Sequence, residues 1–106
     1  MLALKKKNDW GKIGDGAKPK TAKQLERHFK GVSSFRRIEI LFTISRNNGI
    51  TLDGICETIG GNPKTISEHT KKLVQAGLID KKRRGREVAH LLSPYGQKFF
   101  KFIKTF

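Results

Sequence analysis

The chain has 106 residues, enough for one small domain with a single modest core and too few for two. Its 23 lysines and arginines against 9 acidic residues leave a formal charge of +14, which favours nucleic acid or an anionic membrane surface over a neutral partner. No apolar run approaches the roughly 20 residues of a membrane span, the opening MLALKKKNDWGK reverses the charge-then-apolar order of a signal peptide, and the lone Cys56 permits no internal disulfide, so a cytoplasmic, nucleoid-associated protein is expected.

Residues 1–20 hold six lysines, two aspartates, three glycines and one proline around Trp10 and Ile13. Too poor in apolar side chains to fold alone, they are predicted to form a flexible basic arm. The alternative is an arm that touches DNA, or a partner subunit through Trp10. The rest, residues 21–106, is predicted to be one domain.

Thr21 and Gln24 have capping-box spacing, which predicts a first helix over 22–30 with Leu25 and Phe29 facing inward and Gly31 ending it. Ser34 is placed to cap a second helix from Phe35 to about Arg46, closed by Asn47-Asn48-Gly49. Thr51 opens a short third helix, with Ile50 and Ile55 as a hydrophobic staple and Ile59 continuing the buried face. Gly60-Gly61 then makes a short turn into a fourth helix, as a helix-turn-helix requires.

In that fourth helix Asn62 can accept a backbone N–H, and Pro63 suits the first position because it needs no amide donor. Ile66, Leu73 and Val74 are expected to face the core, and Gly77 stands where a left-handed turn ends a helix. The run LIDKKRRGREVAHLL reads as two strands joined at Arg84-Gly85, with one extra strand expected near 49–51. Ser93 and Pro94 set a final helix bearing an aromatic stripe of Tyr95, Phe99, Phe102, Ile103 and Phe106. The fold class predicted is mainly α with a small β-hairpin wing.

Charge is distributed unevenly along this order. Residues 21–61 carry six basic and four acidic side chains, whereas residues 62–92 carry eight and three. The fourth helix offers Lys64, Thr65, Ser67, Glu68, Lys71 and Lys72, side chains able to bond phosphates or base edges. The hairpin crowds Lys81, Lys82, Arg83, Arg84 and Arg86 at its tip, a repulsion that a polyanion relieves. Glu68 is the odd member, unfavourable among phosphates unless it accepts from a cytosine amino group or pairs with a lysine. Arg36, Arg37 and Lys20 are candidate backbone clamps.

The run KTISEHTKKLVQAGLIDKKRRGREVAHLLSP resembles the recognition helix and wing of ArsR-type winged-helix regulators, with a MarR-like exit. The similarity covers Leu25 to Phe106. Its most specific part is Thr65, Ile66, Ser67, His69, Leu73, Ala76, Gly77 and Leu78, followed by the basic hairpin, and RRIEILFTI is similar to the family's earlier core helix. Thr70 departs from the pattern, standing where the family usually has leucine.

The resemblance implies a winged helix-turn-helix with the helix over 63–76 in the major groove and the wing over 79–92 on the adjacent minor groove. Related regulators pair through their first and last helices, so Leu25, Phe29, Tyr95, Phe99, Phe102, Ile103 and Phe106 are expected at a homodimer contact. The family's metal sensors carry paired cysteines in the third helix or acidic and histidine pairs in the last. Cys56 stands alone and the last helix offers only lysines as charged groups, so no metal, cofactor or effector is expected, and His69 is read as a packing residue that bonds a phosphate or backbone group.

Catalysis finds no foothold, since the acidic residues have no paired spacing and no glycine loop has a phosphate-binding pattern. The function expected is therefore a homodimeric, sequence-specific regulator of transcription on double-stranded DNA, most simply a repressor. The alternatives are an architectural DNA coater, a plasmid-partition-type DNA adaptor, and a winged helix that binds an acidic protein.

Overall fold

The structure is a computed structural model that describes residues 19–106. The arm predicted over 1–20 lies outside the described residues apart from Pro19 and Lys20. The order is α1 (Ala22–Gly31), α2 (Phe35–Arg46), α3 (Leu52–Ile59), α4 (Pro63–Gln75), β1 (Ile79–Arg84), β2 (Glu87–Leu92) and α5 (Pro94–Lys104). Among the described residues no helix is long and apolar enough to cross a membrane.

The local signals act as their chemistry requires. The Thr21 hydroxyl accepts from the Gln24 amide at 3.2 Å while the Gln24 side chain accepts from the Thr21 amide at 2.9 Å, which satisfies two otherwise unpaired donors. Thr51 accepts from Gly54 and Asn62 from Lys64, at 3.1 and 2.7 Å. Ser34 is the exception: it precedes α2 in extended conformation but makes no side-chain cap bond. At the end of α4 the Leu78 amide reaches the Leu73 carbonyl and the Gly77 amide the Val74 carbonyl, a Schellman closure that needs the positive φ of Gly77.

Ile40, Leu41, Ile44, Ile55, Ile66, Leu73, Leu78 and Ile79 are wholly buried and form one core under α2, α3, α4 and the base of the hairpin. Each such side chain contributes about 1.5–3 kcal/mol on leaving water. Thr70 is buried where an apolar residue would be usual, and its hydroxyl is satisfied by donating to the Ser67 carbonyl at 2.8 Å.

Three expected orientations are corrected. Leu25 and Phe29 do not face the core but are 36 % and 51 % exposed, and His28 is the side chain that α1 buries. Val74 is likewise exposed, because Ile66, Thr70 and Leu73 already fill the inner stripe of α4. Helix α1 crosses α4 so closely at Gly31 that any Cβ there would overlap the Ala76 methyl, and α1 therefore serves as a brace for the end of α4.

β1 and β2 pair antiparallel from Ile79↔Leu92 to Arg84↔Glu87. The extra strand expected near 49–51 is a single bridge, Ile50↔His90. Helix α5 starts on Ser93, whose hydroxyl accepts from the Gly96 amide and donates to the Gly77 carbonyl at 2.6 Å, so the last helix is tied to the end of α4.

Candidate nucleic-acid interface

Helix α4 buries one stripe and presents the opposite one. With Ile66, Thr70 and Leu73 inward, a turn of 100° per residue places Glu68 and Gln75 near the centre of the outer face, with Lys64 and Lys71 beside them. Lys64, Thr65, Glu68, Lys71 and Lys72 are all exposed. Ser67 is half-buried and sits on the flank towards the hairpin, where it lines a cavity of about 350 Å³ with Thr51, Asp53, Lys81, Arg86 and Glu87.

The hairpin turns through Gly85 and Arg86, and the φ of 63° at Gly85 with no positive φ at Arg86 is the pattern of a type II′ turn. Every residue from Lys81 to Glu87 is exposed, so Lys82, Arg83, Arg84 and Arg86 all reach solvent. Alternation along β1 puts Lys82 and Arg84 on one face, Lys81 and Arg83 on the other. Arg84 folds back to the turn before α3, near enough that a Cβ on Gly49 would meet its Nη1 at 3.2 Å.

Arg36 and Arg37 brace the helix-turn-helix from within. The Arg36 guanidinium donates to Glu39 at 3.1 Å and to the Ile59 carbonyl at 3.0 Å, which holds the end of α3. Arg37 donates to the carbonyls of Lys30 and Gly31 and, through Nε, to Nδ1 of His69 at 3.2 Å. Burial pushes the His69 pKa down, and the charges of Arg37, Arg36 and Lys72 push it further. The ring is thus a neutral acceptor for Arg37. Lys20 lies with its ammonium 3.9 Å from the centroid of the Tyr95 ring.

Two histidines escaped the sequence reading. His28 meets the Ala76 carbonyl through Nδ1 at 2.6 Å, and His90 meets the Ile50 carbonyl at 2.9 Å. Their partners lie 48 and 40 residues away, beyond any local pattern. Burial lowers the His90 pKa, with a further push from Lys81 against the bond to Ile50. Burial and then Asp53 raise the Cys56 thiol, which keeps it protonated and poorly nucleophilic near neutral pH. Among the described residues no three His, Cys, Asp or Glu side chains come together as a metal would need.

Residues 36–80, which span α2 through the first residues of β1, match the family described as winged helix-turn-helix DNA-binding. The chain has the winged helix-turn-helix fold. No curated protein matches it. Among solved structures it is similar to a homodimeric winged helix-turn-helix DNA-binding domain from Mycobacterium bovis, described as a possible ArsR-family transcriptional regulator. Identity there is 21 %, with 78 % of this chain and 77 % of that one covered and a TM-score of 0.72. Reduced HlyU from Vibrio cholerae gives 18 % identity over 77 % and 85 % of the two chains, TM-score 0.68. An ArsR-like transcriptional regulator from Rhodococcus sp. RHA1 gives 23 % over 78 % and 76 %, TM-score 0.65. In this winged helix-turn-helix α3 and α4 are the helix-turn-helix, β1–β2 is the wing, and the basic surplus of residues 62–92 lies on those parts.

The stripe of α5 is a ladder of rings that meets the core through Phe99. Phe99 stacks on Phe102 at 6.2 Å between centroids, Phe102 meets Phe106 at 5.1 Å, and Phe29 of α1 meets Phe99 edge-on at 5.5 Å. Tyr95 and Phe102 are each 48 % exposed and Phe106 is 92 % exposed, while Phe99 and Ile103 are half-buried.

Proposed function

We propose that the chain is a sequence-specific regulator of transcription, most simply a repressor, which binds duplex DNA as a homodimer. The observation that carries this reading is the outer face of α4 and the wing tip, an exposed array of cations and hydrogen-bonding groups on adjoining elements. Lys64, Thr65, Ser67, Glu68 and Lys71 enter the major groove, where the N-terminal part of a recognition helix lies deepest, with Lys72 at its border. Lys82, Arg83, Arg84 and Arg86 meet the neighbouring minor groove or its phosphates.

Pairing through α1 and α5 covers Leu25, Phe29, Tyr95, Phe99, Phe102, Ile103 and Phe106, a large apolar surface for so small a domain. The similar domain from Mycobacterium bovis is homodimeric. A twofold pair sets the recognition helices about 34 Å apart, one turn of the duplex.

An electrophoretic titration of wild type against Arg83→Ala/Arg84→Ala/Arg86→Ala tests the reading. The triple variant is expected to bind more weakly and to lose about 0.9 from the salt slope for each phosphate contact removed. Equal binding by the two proteins overturns it. The charge of +14 supports a second reading, an architectural coater that needs no operator. In competition a regulator prefers its site by about a thousandfold or more over random duplex, and a coater shows no preference.

A further inference from the structure

On the flank of α4 away from the wing lies a cleft of about 570 Å³ lined by Arg27, Lys30, Ser33, Arg37, Lys72 and Gln75. We infer that this cleft holds backbone phosphates of the DNA strand opposite the one gripped by the wing. The inference rests on duplex binding by α4 and adds to it a wall supplied by α1.

Geometry supplies the first argument. A major groove about 12 Å wide admits a helix about 10–12 Å across, so the two phosphate backbones run along its two flanks. The wing occupies one flank of α4 and the C-terminal half of α1 the other.

Charge supplies the second. The wing-side cavity mixes Lys81 and Arg86 with Asp53 and Glu87, whereas the α1-side cleft has four cations and no acidic residue in its lining. Glu26 approaches Lys30 at 3.6 Å, but both are exposed and such pairs are weak enough for a phosphate to displace.

The end of a helix would ordinarily spoil such a site, because its free carbonyls repel an anion. Here the Lys30 carbonyl accepts from Arg37 at 3.1 Å and from the Ser33 hydroxyl at 3.0 Å, and the Gly31 carbonyl accepts from Arg37 at 3.2 Å. The cation that cancels the dipole also belongs to the cleft wall. His69, next to it on α4, registers the resulting positive field in a pKa lowered by burial and then by Arg37, Arg36 and Lys72.

Lysine and arginine contacts to phosphates position a duplex without reading its sequence. The cleft should therefore govern affinity and salt dependence and leave base preference alone. The test is titration of a specific and a random duplex over a salt series with the full chain and two double variants. Arg27→Ala/Lys30→Ala alters exposed side chains on α1, and Lys98→Ala/Lys101→Ala removes the same charge from exposed positions on α5.

We expect the α1 variant to lose about tenfold or more in affinity for both duplexes near 0.1 M salt, with a slope flatter by about 0.9 per lost contact and the specific-to-random ratio unchanged. The α5 variant should stay within about twofold of wild type, which excludes a bulk-charge effect. Wild-type affinity and slope in the α1 variant, or equal losses in the two variants, overturn the inference and leave duplex binding standing. Failure of the wild type to bind either duplex overturns duplex binding and this inference together.

Discussion

Glu68 lies near the middle of an outer face otherwise made of lysines, threonine and glutamine, and a carboxylate there opposes the approach of a phosphate backbone. Its presence makes sense if it accepts from a base edge, and the cytosine amino group is the donor that fits. Replacing Glu68 with Gln should therefore strengthen binding to random duplex and erase preference at one base pair worth about 1–3 kcal/mol. Competition with duplexes altered one position at a time measures this, and an unchanged preference at every position would remove Glu68 from the reading set. His69 and His90 both have folded pKa values lowered below the ordinary 6.5. The unfolded chain then binds more protons than the folded one between the folded values and 6.5, so stability is full above that window and falls as pH drops through it. Denaturant midpoints should stay level from about pH 8 to 7 and decline below about 6.5, and His69→Gln should reduce the decline. An equally steep decline in that variant would assign the effect elsewhere.

The helices show how far sequence reaches. The caps at Thr21, Thr51, Asn62 and Ser93 were legible because each signal lies within three residues of its partner. The wing was legible from strand-forming runs around a glycine, and the location of the basic surplus followed from counting. What failed was the direction of apolar side chains: periodicity marks an apolar stripe on α1 at Leu25 and Phe29 but does not say whether this chain or another covers it. The braces His28–Ala76 and Arg37–His69 were invisible because they join residues 48 and 32 apart. These assignments predict opposite responses from two apolar substitutions. Leu73→Ala empties a site with no solvent exposure and should cost about 2–5 kcal/mol in chemical denaturation. Phe102→Glu alters a half-exposed ring on α5 and should leave the fold intact while sedimentation reports a monomer. A dimer retained in Phe102→Glu would place the contact on another surface.

At the scale of the whole molecule, exposed apolar and cationic side chains are arranged on different but touching elements. Most of the large apolar side chains left outside the core lie on α1 and α5, with Phe35 on α2 and Val74 on α4 as exceptions, and the exposed cations of α4 and the wing lie on adjoining elements. Helix α1 touches both regions, because Phe29 packs on the α5 ladder while Arg27 and Lys30 flank α4. The proposed pairing and the proposed phosphate cleft would thus share one helix, α1, which is seated on Ala76 at Gly31. The central claim, that α4 reads base sequence rather than merely coating DNA, is tested most directly by selection from a randomised duplex pool with the full chain, followed by sequencing. The account predicts enrichment of a motif with two inverted half-sites whose centres lie about 10–10.5 base pairs, or one turn, apart. Retention of duplexes with no enriched motif would contradict it.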